Sequence, residues 1–387
     1  MNRHIRQTLA AAAAFAFITS SLSGCSSDLG PETLPSTTES TEITETEETE
    51  PTDETEETTE SAEETSHGHI STPIRFERPV DVNGQLKVDG AKILNKDGEQ
   101  IQLRGVSTAG LNKCVDIFND QVVATFGYDW GCDIIRIVVT SDSEDGQDYN
   151  KDPDTYFNTV CKYTDTIIEE GLYVVIDWDI HGDPMKNKDN AVDFFSRISA
   201  IYGDKENIIY EICSEPSGKH FDDDTKDVNW SRIKKYANEV TSAIRENDPD
   251  NIIICGTPDS SSGIDQITEK PLKGDNICYA VHNYVHGAED DLRDKCTAVM
   301  EAGLCLVASD WNTLSGEAAA SEWLAFLEQN KISWIGCSVG STSPDGTDAL
   351  VYSSYEPTEG KVLIGHWPED DMTEAGLFLR DKLVSGR

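Results

Sequence analysis

Basic residues are scarce in this chain of 387 residues. Lys and Arg number 31 against 72 Asp and Glu, so the formal net charge is −41. Such a surface repels negatively charged phosphates, which excludes nucleic acid as the ligand. Residues 67–387 alone carry −28, so the acidity is not confined to one tail. A neutral polymer such as a polysaccharide is compatible with this charge.

The sequence also lacks the motifs of common cofactors. No CxxC pair or Cys/His cluster has the spacing of a metal site, and no G-x-G-x-x-G loop follows the first domain strand, as dinucleotide binding requires. We therefore expect no metal and no cofactor. Apart from Cys25 there are nine cysteines, an odd number. Most lie inside apolar runs, which is typical of small buried residues rather than of a disulfide framework.

The apolar run Leu9–Leu22 is too short for a comfortable membrane span. It follows Arg3 and Arg6, which is the pattern of a secretory signal peptide. The run leads into Leu-Ser-Gly-Cys, which resembles a bacterial lipobox. We therefore predict that residues 1–24 are a lipoprotein signal peptide. Cys25 would then carry a lipid and anchor an exported protein to the bacterial cell surface. The alternative is an ordinary signal peptide followed by a chance cysteine.

A Thr/Glu-rich segment separates this signal from the rest of the chain. Residues 26–66 contain fifteen acidic residues and no Lys or Arg. Such a segment buries too little apolar surface to offset its chain entropy, and its like charges keep it extended. We predict that residues 25–72 form a disordered tether, whose composition also allows O-glycosylation.

Residues 73–387 are predicted to form one large domain. Eight short β-branched runs alternate with amphipathic helical patterns: Ile101–Val106, Ile134–Val139, Tyr173–Trp178, Ile208–Cys213, Ile252–Gly256, Ile277–Val281, Leu304–Ala308 and Trp334–Val339. Continuous apolar strands indicate burial on both faces and hence a parallel sheet. Eight such units favour a closed (β/α)8 TIM barrel, with a short β-hairpin before it as a cap.

Two of the predicted strands deliver a carboxylate at their C-terminal ends. The segment Ile208–Pro216 brings Glu215 next to a proline, and Leu304–Trp311 brings Asp310. Sites in these barrels lie at the C-terminal ends of the strands. Two carboxylates there are the groups needed to cleave a glycosidic bond.

The domain resembles glycoside hydrolase family 5 of the bacterial endo-β-1,4-glucanase (cellulase) type. The similarity covers about residues 80–386 and rests on six segments in order: Ile101–Ser107, Ile135–Arg136, Val174–Trp178, Asn207–Cys213, Asp248–Ile254 and Ile332–Trp334. The resemblance implies retaining hydrolysis of a β-glucan-type polysaccharide. By the same resemblance Glu215 is the acid/base and Asp310 the nucleophile.

The resemblance also implies which residues contact the substrate. The matching positions are Arg136, His282, Tyr284, Ser214 and Asp179. In the family, the Arg and Tyr orient the nucleophile and the His helps to position the sugar. We further expect Trp311, beside the nucleophile position, to line the cleft. No protein partner can be named from the sequence.

Six positions in this cleft depart from the family pattern. The family has Asn at Ser214, Glu at Asp310, His at Ala109 and Asp179, and Trp at Cys337 and Ser260. An Asp in place of Glu withdraws the carboxylate by about one C–C bond, and a misplacement of roughly 1 Å can cost on the order of 10²-fold in rate. We therefore expect weak or lost hydrolysis. His181 is a candidate to replace the missing histidine of the third strand.

Three alternatives remain open at this point. One is a non-catalytic glycan-binding or scaffold lipoprotein, which the substitutions favour. Another is an enzyme with altered chemistry, either inverting or acting on a different substrate. A solute-binding lipoprotein would share the anchor, but it requires two lobes, which the eight-strand pattern opposes.

Overall fold

A computed structural model describes most of the domain. Its described residues are 77–111, 118–143, 146–217, 228–283, 289–340, 350 and 372–386. The predicted signal peptide, Cys25, the tether and Tyr284 lie outside these residues. Within the described ranges, no helix is long and apolar enough to cross a membrane.

Eight parallel strands form a closed barrel, which confirms the predicted fold. Two short antiparallel strands precede them, β1 (Lys87–Asp89) and β2 (Lys92–Leu94). The barrel strands are β3 (Arg104–Gly110), β4 (Ile134–Thr140), β5 (Tyr173–Asp179), β6 (Ile208–Glu211), β7 (Ile252–Cys255), β8 (Ile277–Asn283), β9 (Cys305–Trp311) and β10 (Ser333–Val339). They pair in chain order, and β10 closes the barrel against β3.

Helices alternate with these strands. They are α1 (Pro79–Asn83), α2 (Asp120–Tyr128), α3 (Pro153–Glu169), α4 (Lys188–Tyr202), α5 (Trp230–Arg245), α6 (Glu289–Glu301), α7 (Glu317–Asn330) and α8 (Glu374–Ser385). Side-chain oxygens cap several N-termini; the Asn229 side chain, for example, accepts from the backbone N–H of Arg232 at 3.2 Å. Such caps satisfy donors that the first helical turn leaves unpaired.

The hairpin β1–β2 packs against the interior of the barrel. Leu86 and Ile93 join a buried cluster with inward-facing strand residues such as Val175 and Ile254. The Tyr173 hydroxyl, at the start of β5, donates to the carbonyl of Gly84 at 2.6 Å. The hairpin therefore covers the end of the barrel where the strands begin, and leaves the opposite end open for a site.

The eight cysteines that the structure describes form no disulfide with one another. Six of them are buried: Cys132, Cys213, Cys255, Cys278, Cys296 and Cys305. Burial raises the pKa of the Cys296 thiol to about 12, so it stays protonated at neutral pH. These residues are apolar core members, as their apolar context predicts.

Candidate active site

The C-terminal ends of the strands surround an open cleft of about 420 Å³. Its described lining consists of Thr108, Ala109, Gly110, Arg136, Val138, Asp179, His181, Glu215, Ser260, Asp310, Asn312, Leu314, Cys337 and Ser338. Glu215 and Asp310 therefore lie in the same cleft. None of the described lining residues is Phe, Tyr or Trp, so this part of the cleft offers no such ring for a sugar to stack on.

A buried guanidinium lies at the base of the cleft. Arg136 on β4 is 1% exposed. Its Nε donates to Glu211 at 2.7 Å, and one terminal nitrogen donates to Asp177 at 2.9 Å. The other donates to Asp310 Oδ2 at 2.9 Å and to Ser107 at 3.1 Å. Arg136 thus joins β3, β4, β5, β6 and β9, and holds one oxygen of the carboxylate at the nucleophile position.

The two deeper carboxylates respond in opposite ways to this guanidinium. Burial raises the pKa of Asp177 well above its ordinary value, and the charge of Arg136 opposes this only in part. Burial also acts to raise the pKa of Glu211. There Arg136 and hydrogen bonds from His282 and Ser309 outweigh it and lower the pKa to about 2. Near neutral pH, Glu211 is therefore an anion, and Asp177 is the carboxylate of the pair whose ionised form Arg136 stabilises less.

A hydrogen-bonded line orients His282. The Ser309 hydroxyl donates to Glu211 Oε1 at 2.6 Å, and His282 Nε2 lies 3.1 Å from the same hydroxyl oxygen. Because the hydroxyl proton points to Glu211, Nε2 must be the donor to Ser309. Nδ1 then faces Glu215, with its nitrogen 3.9 Å from Oε1. The buried His282 is therefore held beneath the acid/base position.

Glu215 is paired with a histidine that follows β5. His181 Nδ1 lies 2.9 Å from Glu215 Oε2, and His181 Nε2 lies 3.1 Å from Asp179 Oδ2. Burial acts to raise the pKa of Glu215, but the hydrogen bond and charge of His181 outweigh it and hold that pKa below its ordinary value. A general acid needs a pKa raised towards the working pH. The pKa of Glu215 is shifted in the opposite direction, below its ordinary value.

Asp310 has donors at both of its oxygens. Arg136 holds Oδ2, and the Cys337 thiol contacts Oδ1. Burial and the negative charge of Asp310 raise the pKa of Cys337 well above its ordinary value. The thiol therefore stays protonated and donates a hydrogen bond to the carboxylate. Cys337 stands where the family has Trp, so this contact is a direct consequence of one of the six substitutions.

Trp311 does not line the cleft, and that expectation is wrong. It is 1% exposed and packs edge-on against Trp334, with the ring centroids 5.8 Å apart. The cause is the two-residue period of a strand: Asp310 faces the cleft, so Trp311 points out towards the helices.

The other predicted site residues differ in depth. Asp179 lines the cleft, whereas Ser214 lies buried below it and donates to Asp179 Oδ1 at 3.2 Å. His282 is also buried, and Tyr284 lies outside the described residues. His181 does occupy the cleft beside β5, as proposed from the sequence.

Sequence reasoning missed the part played by Glu211 and Ser309. The signal that could have found Glu211 is an acidic residue at the end of an otherwise apolar strand, because a buried carboxylate needs a cationic partner. Arg136, the only cation within the apolar run of β4, was that partner. The described residues contain no group of three or more His, Cys, Asp or Glu side chains placed to hold a metal ion.

Sequence comparison gives the same assignment as the fold. The profile of Cellulase (glycosyl hydrolase family 5) matches residues 94–343. An endoglucanase of Clostridium saccharobutylicum is 33% identical over 310 residues, which cover 78% of this chain and 65% of that protein. Endoglucanase N of Pectobacterium atrosepticum is 31% identical over 318 residues, covering 80% and 67%. The chain thus spans about two thirds of the length of these relatives.

Solved structures are similar over the same part of the chain. The catalytic domain of Thermobifida fusca endoglucanase Cel5A superposes with a TM-score of 0.69 at 28% sequence identity. The superposition covers 80% of this chain and 100% of that domain. A variant of that domain in complex with cellotetraose gives a TM-score of 0.70 at 29% identity, with the same coverage.

An eight-stranded parallel barrel with carboxylates from β6 and β9 in one cleft defines a (β/α)8 protein of the glycoside hydrolase class. The matched profile and relatives identify the family within that class. The chain belongs to glycosyl hydrolase family 5, the cellulase family.

Proposed function

We propose that this protein is a lipid-anchored, cell-surface member of the family that binds β-1,4-glucan-type polysaccharide and hydrolyses it weakly or not at all. The family assignment supports the ligand class. Two related endoglucanases and a relative in complex with cellotetraose belong to the same family. The strong negative charge of residues 67–387 fits a neutral polymer better than a charged one.

One observation carries the proposal of weak catalysis: both carboxylates that would do the chemistry are engaged by donors. Asp310 accepts from Arg136 and Cys337, and Glu215 is paired with His181. A carboxylate that donates lone pairs to two partners is a poorer nucleophile. A carboxylate held ionised by a cation has no proton for the leaving oxygen.

The length of Asp310 acts in the same direction. Retaining enzymes hold their two carboxyl groups about 5–5.5 Å apart. An Asp at the nucleophile position draws its oxygens back by about one C–C bond, and about 1 Å of displacement can cost on the order of 10²-fold in rate. The described lining also contains no Phe, Tyr or Trp, which weakens the binding of a neutral sugar.

Two alternatives have specific support. A non-catalytic glycan-binding or scaffold lipoprotein is favoured by the substitutions at Ser214, Asp310 and Cys337. An enzyme with altered chemistry is favoured by the retained ion pair between Arg136 and Asp310. In an inverting version Asp310 would activate a water while Glu215 acted as acid, which needs a gap of about 6.5–9.5 Å between the carboxyl groups.

The surface location rests on the N-terminal sequence. The signal pattern of residues 1–24, the Leu-Ser-Gly-Cys motif and the acidic tether form one consistent export and anchoring device. Expression in a bacterial host followed by fractionation tests it. The full chain should partition with the membrane, and Cys25→Ser should release it; a membrane-bound Cys25→Ser variant would contradict the anchor.

The decisive experiment measures cleavage and binding side by side on soluble β-1,4-glucan and other neutral glycans. We expect measurable binding and little or no release of reducing ends, compared with an intact family member. Glu215→Gln removes the carboxylate, and Glu169→Gln, on the exposed face of α3, is the matched control. Robust turnover that Glu215→Gln abolishes and Glu169→Gln preserves would overturn the proposal of weak catalysis. Absence of binding to every β-glucan would overturn the ligand class.

A further inference from the structure

His181 bridges two carboxylates in the cleft that come from different strands. Its ring nitrogens lie 2.9 Å from Glu215 Oε2 and 3.1 Å from Asp179 Oδ2. A histidine with a carboxylate at each nitrogen can donate at both only when it carries two protons. The geometry is therefore that of an imidazolium held between two anions.

The loop that carries His181 is fixed by the two residues that follow the histidine. The backbone N–H of Ser217 donates to the carbonyl of Gly182 at 3.1 Å, which ties the loop to the segment just beyond Glu215. The Asp183 carboxylate accepts from Arg232 Nε at 2.7 Å and from a second nitrogen of the same guanidinium. A bidentate pair of this kind sets orientation as well as position. His181 is thus held against Glu215 by contacts at the two residues that follow it in the loop.

We propose that His181 locks Glu215 as a carboxylate, so that the residue at the acid/base position acts only as a base. This inference rests on the proposed function and deepens it, because it names the step that fails. During retaining cleavage an oxygen of the Asp310 carboxylate bonds to the anomeric carbon while the bond from that carbon to the glycosidic oxygen breaks, and the glycosidic oxygen leaves with the electron pair. With Glu215 ionised, no proton reaches that oxygen. Alkoxide leaving groups then depart poorly, whereas phenolate leaving groups that need no proton depart.

The surrounding charges support this assignment from every described element that faces the pair. The Asp179 charge raises the pKa of His181 well above its ordinary value, against the effect of burial. His181 in turn lowers the pKa of Asp179 and Glu215. His282 on β8 also lowers the pKa of Glu215. Arg136 on β4 also lowers the pKa of Asp179. Burial and the Asp179 charge act to raise the pKa of Glu215, and His181 and His282 together outweigh them.

The direct test is an NMR titration of the full domain with labelled Glu side-chain carboxyls and His imidazoles. In the native protein Glu215 should titrate below the ordinary Glu value of 4.5. In His181→Gln the cation is gone while Asp179 remains, so the pKa of Glu215 should rise by at least about one unit, a tenfold larger protonated fraction. Lys295→Gln removes a cation paired with Asp291 on α6 and serves as the matched control that leaves Glu215 unchanged.

A leaving-group comparison adds a kinetic readout. Dinitrophenyl β-cellobioside needs no proton on departure, whereas cellotetraose does. The ratio of cellotetraose to dinitrophenyl cleavage should rise about tenfold in His181→Gln. If Glu215 titrates at or above 4.5 in the native protein, or if its pKa is unchanged in His181→Gln, the inference is wrong. Should His181→Gln not fold, the other neutral variant His181→Asn tests the same lock, because it also removes the cation and leaves Asp179 in place.

The two proposals fail separately. The titration needs no glycan, so a protein that binds no β-glucan still decides whether His181 locks Glu215. Conversely, a normal Glu215 pKa in a protein that binds glucan but does not cleave it would leave the proposed function standing and remove this explanation of it.

Discussion

Replacing Arg136 with Met should destabilise the fold more than any exposed charge change. Arg136 is buried and donates to Glu211, Asp177 and Asp310. Met has a similar length and no charge, so the variant keeps the volume and removes only the cation. Three carboxylates then surround an apolar side chain, and two of them are fully buried.

The size of the effect follows from the charges. Removing one partner of a buried ion pair costs about 3–5 kcal/mol. For Glu211 the shift from the ordinary 4.5 to about 2 corresponds to about 3 kcal/mol at neutral pH. Its pKa is lower in the folded state, so this stabilisation is present above pH 4.5 and is lost as the pH falls towards 2. Asp177 has the opposite sign: its pKa is raised in the folded state, so its contribution is lost as the pH rises.

Without Arg136 the pKa of Glu211 should rise as well, so the variant should lose stability as the pH rises above 4.5, where the Glu211 contribution of the native protein is already fully present. Urea unfolding should therefore show a loss of about 3–5 kcal/mol at pH 7 and a smaller loss near pH 4. Lys205→Gln breaks an exposed pair with Asp204 and should cost under about 1 kcal/mol. If Arg136→Met does not fold, the double variant Arg136→Met with Glu211→Gln should recover a folded protein. A cost under about 1 kcal/mol, or the same cost at both pH values, would refute this reasoning.

Three further predictions concern the cleft. Asp310→Glu alone should not restore hydrolysis of soluble β-1,4-glucan, because the longer side chain still meets the Cys337 thiol; full recovery of reducing-end release would show that side-chain length was the whole defect. Cys337→Ala frees one oxygen of Asp310 and should raise cleavage of dinitrophenyl β-cellobioside by about tenfold, the equivalent of one weak hydrogen bond to a charged group; a loss of rate would show that the thiol positions Asp310. The raised pKa of His181 stabilises the fold fully below its unfolded value of 6.5, and this contribution is lost as the pH rises through the folded value. Thermal midpoints of the native protein should thus fall with rising pH more steeply than those of His181→Gln, and parallel curves would contradict the lock.

The eight strands could be predicted because apolar runs mark them, and the exceptions have physical causes. The first barrel strand was predicted at Ile101–Val106 and lies at Arg104–Gly110. Its second half, Ser107–Gly110, consists of small residues that give little apolar signal but lie buried, and Ser107 accepts a hydrogen bond from Arg136. An apolar sequence pattern therefore marks buried strand positions that hold large side chains and misses those that hold small ones.

Several of the residues that line the cleft were named from the sequence, but the contacts between them were not. Family resemblance placed Glu215 and Asp310, but no spacing rule predicts that His181 turns back to Glu215 or that Cys337 meets Asp310. Both contacts join segments distant in sequence, and they depend on side-chain rotamers at strand ends. The orientation of Trp311, in contrast, followed from strand alternation and was predictable.

The position of Cys337 gives this cleft an internal reporter. Of the eight cysteines that the structure describes, only Cys161 and Cys337 are partly exposed, and only Cys337 lines the cleft. A small thiol-directed reagent would therefore enter through the same opening as a sugar chain, and it would react slowly near neutral pH because the thiol keeps its proton. Shielding of that sulfur by a glycan would read out occupancy in a protein whose turnover is too slow to follow.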